Sequence, residues 1–172
     1  MISDLFKAVR LLILDVDGVL TGGDITLDSR GREIKRFNVK DGLGIRLLQR
    51  AGIPTAIATG RRSDALRHRC RELGIEMLYD DLSDKTTVVE TISARTGLTP
   101  PQMAFAGDDL PDLPLMGRVG LAIAVADAHP QVRRRAHVVT RAAGGRGAVR
   151  EICEAILKSQ GRWDETIGIF LQ

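Results

Sequence analysis

Two aspartates near the start of the chain are placed to act together. Asp15 and Asp17 follow a nearly unbroken apolar run at residues 9–14. Residues two apart in an extended backbone project to the same side, so both carboxylates would face one place. Two carboxylates that close repel each other unless a proton or a cation lies between them. By itself the pair is a weak signal, because acidic residues after strands are common.

Three further polar groups follow downstream, and together with the aspartate pair they are of the types that handle phosphate. They comprise Thr59, Gly60 and Arg61, then Lys85, then Asp108, Asp109 and Asp112. Carboxylates with water suit Mg²⁺, and a hydroxyl and an ammonium group beside the ion would hold phosphoryl oxygens. Phosphoryl transfer depends mostly on positioning and charge stabilisation. A carboxylate can also be the nucleophile and carry the phosphoryl group as an acyl phosphate.

Short apolar runs predict the scaffold that brings these groups together. Besides the first run they lie at residues 54–58, 76–79, 103–106, 121–125 and 137–139. Helical patterns separate them, with predicted caps at Asp41, Ser63 and Asp84. Strands that alternate with helices predict an α/β fold with a doubly wound parallel sheet. The ligand site of such a sheet lies beyond the carboxyl ends of its strands, where all four polar groups fall.

Two segments depart from this alternation. Residues 22–38 read as two short strands around a turn, which predicts a β-hairpin inserted after the first strand. The C-terminal tail, residues 161–172, is too apolar for a free end, so it is expected to dock on a surface. The whole of residues 1–172 is expected to form a single domain.

The composition excludes several partners. The net charge is +3 and arginines cluster in two places, but aromatic residues make up only 3%, which argues against nucleic-acid binding. No apolar run approaches the length needed to span a membrane. Cys70 and Cys153 lie at apolar positions of predicted helices, so we expect two buried thiols in a reducing cytoplasm.

The ordered polar groups resemble the motifs of the haloacid dehalogenase superfamily of phosphatases. The nucleophile motif DxDxxxT matches Asp15, Asp17 and Thr21, and the later motifs match Thr59, Lys85, Asp108 and Asp112. The resemblance implies a Rossmann-like fold and a phospho-aspartate mechanism. Most relatives insert a cap domain after the first or the second motif, and the short segments there imply that this chain has none. Every position of the motif set is present, and a second acid in the first motif favours phosphoryl transfer over dehalogenation.

The resemblance also implies catalytic roles. Asp15 would attack phosphorus, and Asp17 would protonate the leaving oxygen and then activate water. Thr59, Gly60 and Lys85 would hold the phosphoryl oxygens.

The metal ligands and their supporting residues are implied in the same way. Mg²⁺ would be bound by Asp15, the backbone carbonyl of Asp17, and Asp108. Asp112 would orient the motif lysine or a metal-bound water, and Asp109 would have a supporting role.

A narrower resemblance covers roughly residues 12–160 and is to the 3-deoxy-D-manno-octulosonate (KDO) 8-phosphate phosphatase family. It implies hydrolysis of an acidic sugar phosphate in lipopolysaccharide synthesis, and a homotetramer in which a neighbour's hairpin and tail cover each site. The residues expected to contact the sugar or its carboxylate are Thr21, Asn38, Lys40 and Arg61. Asp41 is expected either to contact the sugar or to cap a helix.

Other interpretations remain open from the residues. Related enzymes act on nine-carbon keto-acid phosphates such as N-acylneuraminate 9-phosphate, and the motifs serve both substrates. A receiver domain also has acids, a threonine and a lysine, but its phosphorylated aspartate follows a later strand. A structural or regulatory subunit of a sugar-activating partner is the other non-enzyme alternative.

Overall fold

A computed structural model describes residues 1–171, in which the strands occupy the predicted apolar runs. The strands are β1 (Leu11–Leu14), β2 (Thr26–Leu27), β3 (Glu33–Ile34), β4 (Thr55–Ala58), β5 (Met77–Tyr79), β6 (Met103–Gly107), β7 (Leu121–Ala124) and β8 (Val138–Val139). Six of them form one sheet in the order β5-β4-β1-β6-β7-β8, and all its pairings are parallel. The predicted α/β fold with a parallel sheet is therefore confirmed.

The strand order explains where a site can form. The chain runs from β1 outward to β5, then returns beside β1 as β6 and runs outward to β8. The order of the strands thus reverses between β1 and β6, and a crevice opens at the carboxyl ends of the strands at such a switch point. Asp15 follows β1 and Asp108 follows β6, so the first and last motifs meet there.

Helices flank the sheet and bury its apolar strands. They are α1 (Ile2–Ala8), α2 (Val39–Arg50), α3 (Asp64–Leu73), α4 (Thr87–Thr96), α5 (Leu113–Met116), α6 (Pro130–Arg135), α7 (Ala148–Ser159) and α8 (Trp163–Ile167). All residues of β1, β4, β6 and β7 are buried, as expected of strands covered on both faces. None of the helices in residues 1–171 is long and apolar enough to cross a membrane.

The predicted hairpin is present but small. β2 and β3 pair antiparallel around a turn in which the Asp28 carboxylate accepts hydrogen bonds from two backbone amides. Its apolar side chains, Ile25, Leu27 and Ile34, are exposed. A two-stranded ribbon of this length is marginal on its own, so its position depends on the contacts it makes.

Two predicted helix caps need correction, and one helix was missed. Asn38, rather than Asp41, caps α2, since its side chain accepts from the backbone amide of Lys40 at 2.8 Å. Asp84 lies two residues before the cap position of α4, which is Thr86. The helix α1 was not predicted, because seven residues offer too short a pattern.

The tail docks only in part. Trp163 packs beneath α7, where the Lys158 ammonium lies 4.8 Å from the centre of its ring. The last apolar residues, Ile169, Phe170 and Leu171, remain exposed on this chain.

Candidate active site

The loop after β1 presents a buried carboxylate at the switch point. Asp15 is buried, and the amides of Val19, Leu20 and Thr21 all donate to the Val16 carbonyl, which curls the chain into a compact turn. Gly18 has φ +94°, and a Cβ there would lie 2.0 Å from Asp108 Oδ2. Only glycine lets this loop approach the acidic strand end so closely.

A lysine links the first motif to the last. Lys85 Nζ donates to Asp15 Oδ1 at 2.6 Å and to Asp112 Oδ1 at 2.7 Å. The other oxygen of Asp112 accepts from the backbone amides of Asp108 (2.8 Å) and Asp109 (3.3 Å). The buried Asp112 is thus fixed by its own loop and in turn fixes the lysine, which is the contact expected of it.

The acidic cluster carries more negative charge than its surroundings offset. Ligand oxygens of Asp15, Asp108 and Asp112 lie within 4.8 Å of one another. Burial and the charge of Asp112 raise the pKa of Asp15 to about 6, against the opposing effect of Lys85. Burial and the neighbouring aspartates raise the pKa of Asp108 to about 8. Crowded carboxylate oxygens of this kind fit a hard divalent cation, which would restore the ionised forms.

The acidic cluster contains the two predicted side-chain ligands of the metal, Asp15 and Asp108, together with Asp112. The ligand predicted from Asp17 is its backbone carbonyl, which stays a prediction. Asp109 is exposed, and its side chain accepts from the next backbone amide as a cap of the short 3₁₀ turn that follows. Its observed contacts are therefore those of a turn residue.

The threonine motif lies at the end of β4. Thr59 is buried, and its hydroxyl accepts from the Arg61 amide at 3.3 Å while its backbone amide donates to Tyr79. Gly60 is exposed beside it. The Thr21 hydroxyl donates to the Val16 carbonyl and accepts from the Gly23 amide. It therefore stabilises the loop that follows β1, residues 15–21, which we call the nucleophile loop.

The second aspartate of the first motif meets residues that sequence reasoning missed. The hairpin residue Lys35 forms an ion pair with Asp17 Oδ1 and with Glu33 at 3.1 Å. Arg61 approaches Asp17 Oδ2 at 3.7 Å and bonds Glu33 at 2.8 Å. The spacing of Glu33 and Lys35, two residues apart with an apolar residue between them, was the available signal, because such side chains project to the same side of an extended segment.

A glycine loop, residues 143–147, supports the nucleophile loop from the other side. The Gly145 amide donates to the Val19 carbonyl at 2.9 Å, and a Cβ on Gly144 would lie 1.7 Å from the Gly18 carbonyl oxygen. The Gly144 amide donates to Asp127 at 2.9 Å. The two loops therefore pack backbone to backbone.

Two of the residues considered for sugar contact, Asn38 and Asp41, form hydrogen bonds with the glycine loop. Asn38 donates to the Gly145 carbonyl at 3.3 Å besides capping α2, and buried Asp41 accepts from the amides of Gly147 and Arg150 at the start of α7. These two side chains hold the glycine loop. Lys40 is exposed.

A cavity of about 500 Å³ borders the site between the nucleophile loop, the hairpin and the glycine loop. Its lining includes Thr21, Lys35, Arg36, Asn38 and Arg146. Arg36 and Arg146 make it suitable for an anionic ligand, whereas the charge of Lys35 is balanced by Asp17 and Glu33.

Comparisons with protein families and with individual proteins identify relatives of this chain. Residues 77–152 match the model of the haloacid dehalogenase-like hydrolases. The KDO 8-phosphate phosphatase of Escherichia coli K12 is 49% identical over 160 residues, which cover 93% of this chain and 85% of the relative.

Solved structures agree as well. The KDO 8-phosphate phosphatase of Moraxella catarrhalis, in complex with magnesium, phosphate and KDO, superposes with a TM-score of 0.95 at 40% identity, covering 98% of this chain and 97% of that one. The cobalt-bound enzyme of Haemophilus influenzae gives 0.92 at 39% identity, covering 98% and 99%. The chain therefore belongs to the KDO 8-phosphate phosphatase family of haloacid dehalogenase-like hydrolases.

Proposed function

We propose that this protein is a Mg²⁺-dependent phosphatase that hydrolyses KDO 8-phosphate to KDO and phosphate through an aspartyl-phosphate on Asp15. The observation that carries the proposal is the hydrogen-bonded linkage of Asp15, Lys85 and Asp112 beside Asp108 at the switch point of the sheet. The identity to phosphatases named for this substrate supports the choice of sugar.

In the first half-reaction a carboxylate oxygen of Asp15 forms a bond to phosphorus while the bond to the sugar oxygen breaks. Asp17 gives its proton to that oxygen, so the sugar leaves as an alcohol. Lys85, Thr59 and Gly60 hold the phosphoryl oxygens and offset their charge. Asp112 keeps Lys85 in place through its 2.7 Å hydrogen bond.

In the second half-reaction water attacks the phosphorus of the aspartyl-phosphate. Asp17, now a carboxylate, takes the proton from this water, and the bond between phosphorus and the Asp15 oxygen breaks. Phosphate leaves and the nucleophile is restored.

The carboxylates of Asp15 and Asp108 and the backbone carbonyl of Asp17 would hold Mg²⁺, with Asp112 adding charge next to them. The ion would supply neutralisation of the crowded carboxylates and of the phosphate oxygens. Its charge would also keep the nucleophile ionised despite burial, which otherwise raises the pKa of Asp15 to about 6.

The sugar would occupy the cavity beside the nucleophile loop. Arg61 and Lys40 are exposed enough to turn toward a carboxylate on the substrate, since the Arg61 side chain keeps 43% of its surface accessible. Thr21 and Asn38 border the same cavity and would contact sugar hydroxyls.

We also propose that the protein is a homotetramer in the cytoplasm, and its exposed apolar residues support self-association. Ile25, Leu27 and Ile34 on the hairpin, and Phe170 and Leu171 on the tail, lack apolar cover on a single chain. Packing of hairpins against one another, with a neighbour's hairpin and tail over each site, would bury them and exclude water from the reaction.

The experiment is phosphate release with Mg²⁺ from KDO 8-phosphate, N-acylneuraminate 9-phosphate and glucose 6-phosphate, with Asp15→Asn as the control. We expect kcat/KM on KDO 8-phosphate to exceed the other values by orders of magnitude, and the variant to be inactive. A preference for the nine-carbon acid would overturn the substrate and keep the chemistry. Equal inactivity of wild type and variant would overturn the enzyme proposal in favour of a structural or regulatory subunit.

A further inference from the structure

The hairpin contributes a buried cation to the second aspartate of the first motif. Only 3% of the Lys35 side chain is accessible, and its ammonium group contacts two carboxylates, Asp17 and Glu33. A lysine is seldom buried to this degree unless it is paired. The hairpin, otherwise mostly exposed, therefore places one side chain deep against the reaction centre.

We propose that Lys35, supported by Glu33, is the positioning residue for Asp17, and that the chain's own hairpin thereby orients the general acid. The inference rests on the proposed function, because it assigns Asp17 the proton transfer described above. Lys35 itself touches neither the phosphoryl group nor the leaving oxygen in this role.

Charge and exposure distinguish Lys35 from a substrate-binding cation. Asp17, Glu33, Lys35 and Arg61 form a set of two negative and two positive groups. The charge of Lys35 is already balanced by carboxylates of the chain, and although the residue borders the cavity, only 3% of its side chain is accessible to a ligand. Arg61 is the member of the set that can turn outward, because 43% of its side chain is accessible.

The contacts also separate the two oxygens of Asp17. Lys35 bonds Oδ1, whereas Oδ2 is buried and has no hydrogen-bond partner among the described residues, and Arg61 Nε lies 3.7 Å from it. An oxygen that accepts from an ammonium group cannot easily serve a leaving group as well. The arrangement therefore leaves Oδ2 as the oxygen that can face the leaving group once Arg61 turns outward.

Glu33, in β3 just before Lys35, completes the arrangement. It forms an ion pair with Lys35 at 3.1 Å and accepts from Arg61 at 2.8 Å, so it keeps both cations beside Asp17. If the ammonium group of Lys35 is removed, the Asp17 carboxylate loses its one hydrogen bond and can rotate away from the leaving oxygen. Positional errors of this kind act on the step in which the proton is transferred.

The test uses the chain of residues 1–172 with Mg²⁺ and three substrates that differ in what they require. KDO 8-phosphate needs a proton on its leaving oxygen and has a carboxylate, glucose 6-phosphate needs the proton but has no carboxylate, and p-nitrophenyl phosphate needs neither. The quantity compared is kcat/KM, which covers steps only through loss of the first product and so omits the later water attack.

For Lys35→Met we expect kcat/KM to fall about 10²-fold on both sugar phosphates, the lower end of what a general acid contributes. On p-nitrophenyl phosphate it should stay close to wild type. Lys35→Arg should recover part of the loss, because it restores a cation to Oδ1. Glu33→Gln should show the same pattern more weakly.

Lys7→Met is the matched control, since Lys7 is an exposed lysine in an ion pair on α1, and it should leave all three values unchanged. Thermal unfolding of each variant checks that it folds.

A loss confined to KDO 8-phosphate would overturn the proposal by making Lys35 a binder of the substrate carboxylate. An equal loss on all three substrates would overturn it too, because the hairpin would then be needed for the site as a whole. Inactivity of the wild type on every substrate would instead reject the proposed function.

Discussion

The candidate site has two halves that are built in different ways. The strand-edge half, Asp15, Lys85, Asp108 and Asp112, sits on or beside buried strands and is joined by hydrogen bonds of 2.6–2.8 Å. The hairpin half, Glu33 and Lys35, stands on a ribbon of two-residue strands whose apolar side chains are exposed. The nucleophile and the metal site therefore belong to the core, whereas the control of the acid belongs to an appendage.

The two halves of the site differ in how firmly they hold their side chains. A packed core holds side chains in single rotamers, which suits groups that must align with phosphorus. A short ribbon is held by few contacts and opens at low cost. The molecule thus fixes phosphoryl chemistry in the sheet and leaves proton delivery and substrate access to the hairpin.

The largest expected effect comes from breaking the strand-edge half at its nucleophile. Asp15→Asn should lower kcat by at least about 10³-fold, because the bond to phosphorus can no longer form. The metal-free variant should be no less stable than wild type, since the substitution removes a buried charge that repels Asp108 and Asp112. Steady-state kinetics and thermal unfolding measure the two effects. A folded variant that keeps its activity would place the nucleophile elsewhere.

The next largest effect is expected when the backbone contact between the glycine loop and the nucleophile loop is disturbed. Gly144→Ala should destabilise the protein by about 1–3 kcal/mol and lower kcat, because the added Cβ meets the Gly18 carbonyl oxygen and displaces the nucleophile loop. Gly168→Ala is the matched control, since no atom lies within 4 Å of its added Cβ. Urea unfolding and kinetics would show the difference. Equal stability of the two variants would contradict the backbone contact.

The contribution of the strand-edge half to stability should depend on pH. In the metal-free protein burial raises the pKa of Asp108 to about 8 and that of Asp15 to about 6, from 3.8. Their contribution to stability is therefore present below pH 4 and is lost as the pH rises toward 8. We expect Mg²⁺ to raise the melting temperature more at pH 8 than at pH 6, because fewer protons then compete for the carboxylates.

The control for this linkage is Asp108→Asn, which removes the more strongly shifted group. The difference in Mg²⁺ stabilisation between pH 6 and pH 8 should shrink in this variant. A wild-type response to Mg²⁺ that is the same at both pH values would show that the cluster does not bind the ion competitively with protons.

The smallest effect on the folded chain is expected in the hairpin. Leu27→Ser with Ile34→Ser should change the free energy of unfolding of a monomer by no more than about 0.5 kcal/mol, since both side chains are exposed. It should nevertheless weaken self-association, measured by sedimentation. Ile2→Ser, at an exposed position of α1, is the control. Unchanged association would remove the hairpin from the proposed interface.

The sequence predicted most of the fold because buried parallel strands have a distinctive pattern. The runs at β1, β4, β6 and β7 are continuous in apolar residues, and the residues directly after β1, β4 and β6 are the motif residues. The boundaries of α2 and α4 were less accurate. Asp41 and Asp84 are good capping residues by type, yet Asn38 and Thr86 occupy the cap positions.

What the sequence determined by itself was the chemistry of the strand edge, because strand period and chain order suffice to bring Asp15, Lys85 and Asp108 to one place. Tertiary structure alone decided where the hairpin folds. A ribbon attached by short loops can lie in many directions, and nothing in its own pattern says that Lys35 turns inward to Asp17. The contact between Asp17 and Lys35 forms only when the hairpin packs against the nucleophile loop. Long-range packing, rather than local pattern, therefore fixes the residues that guide the proton.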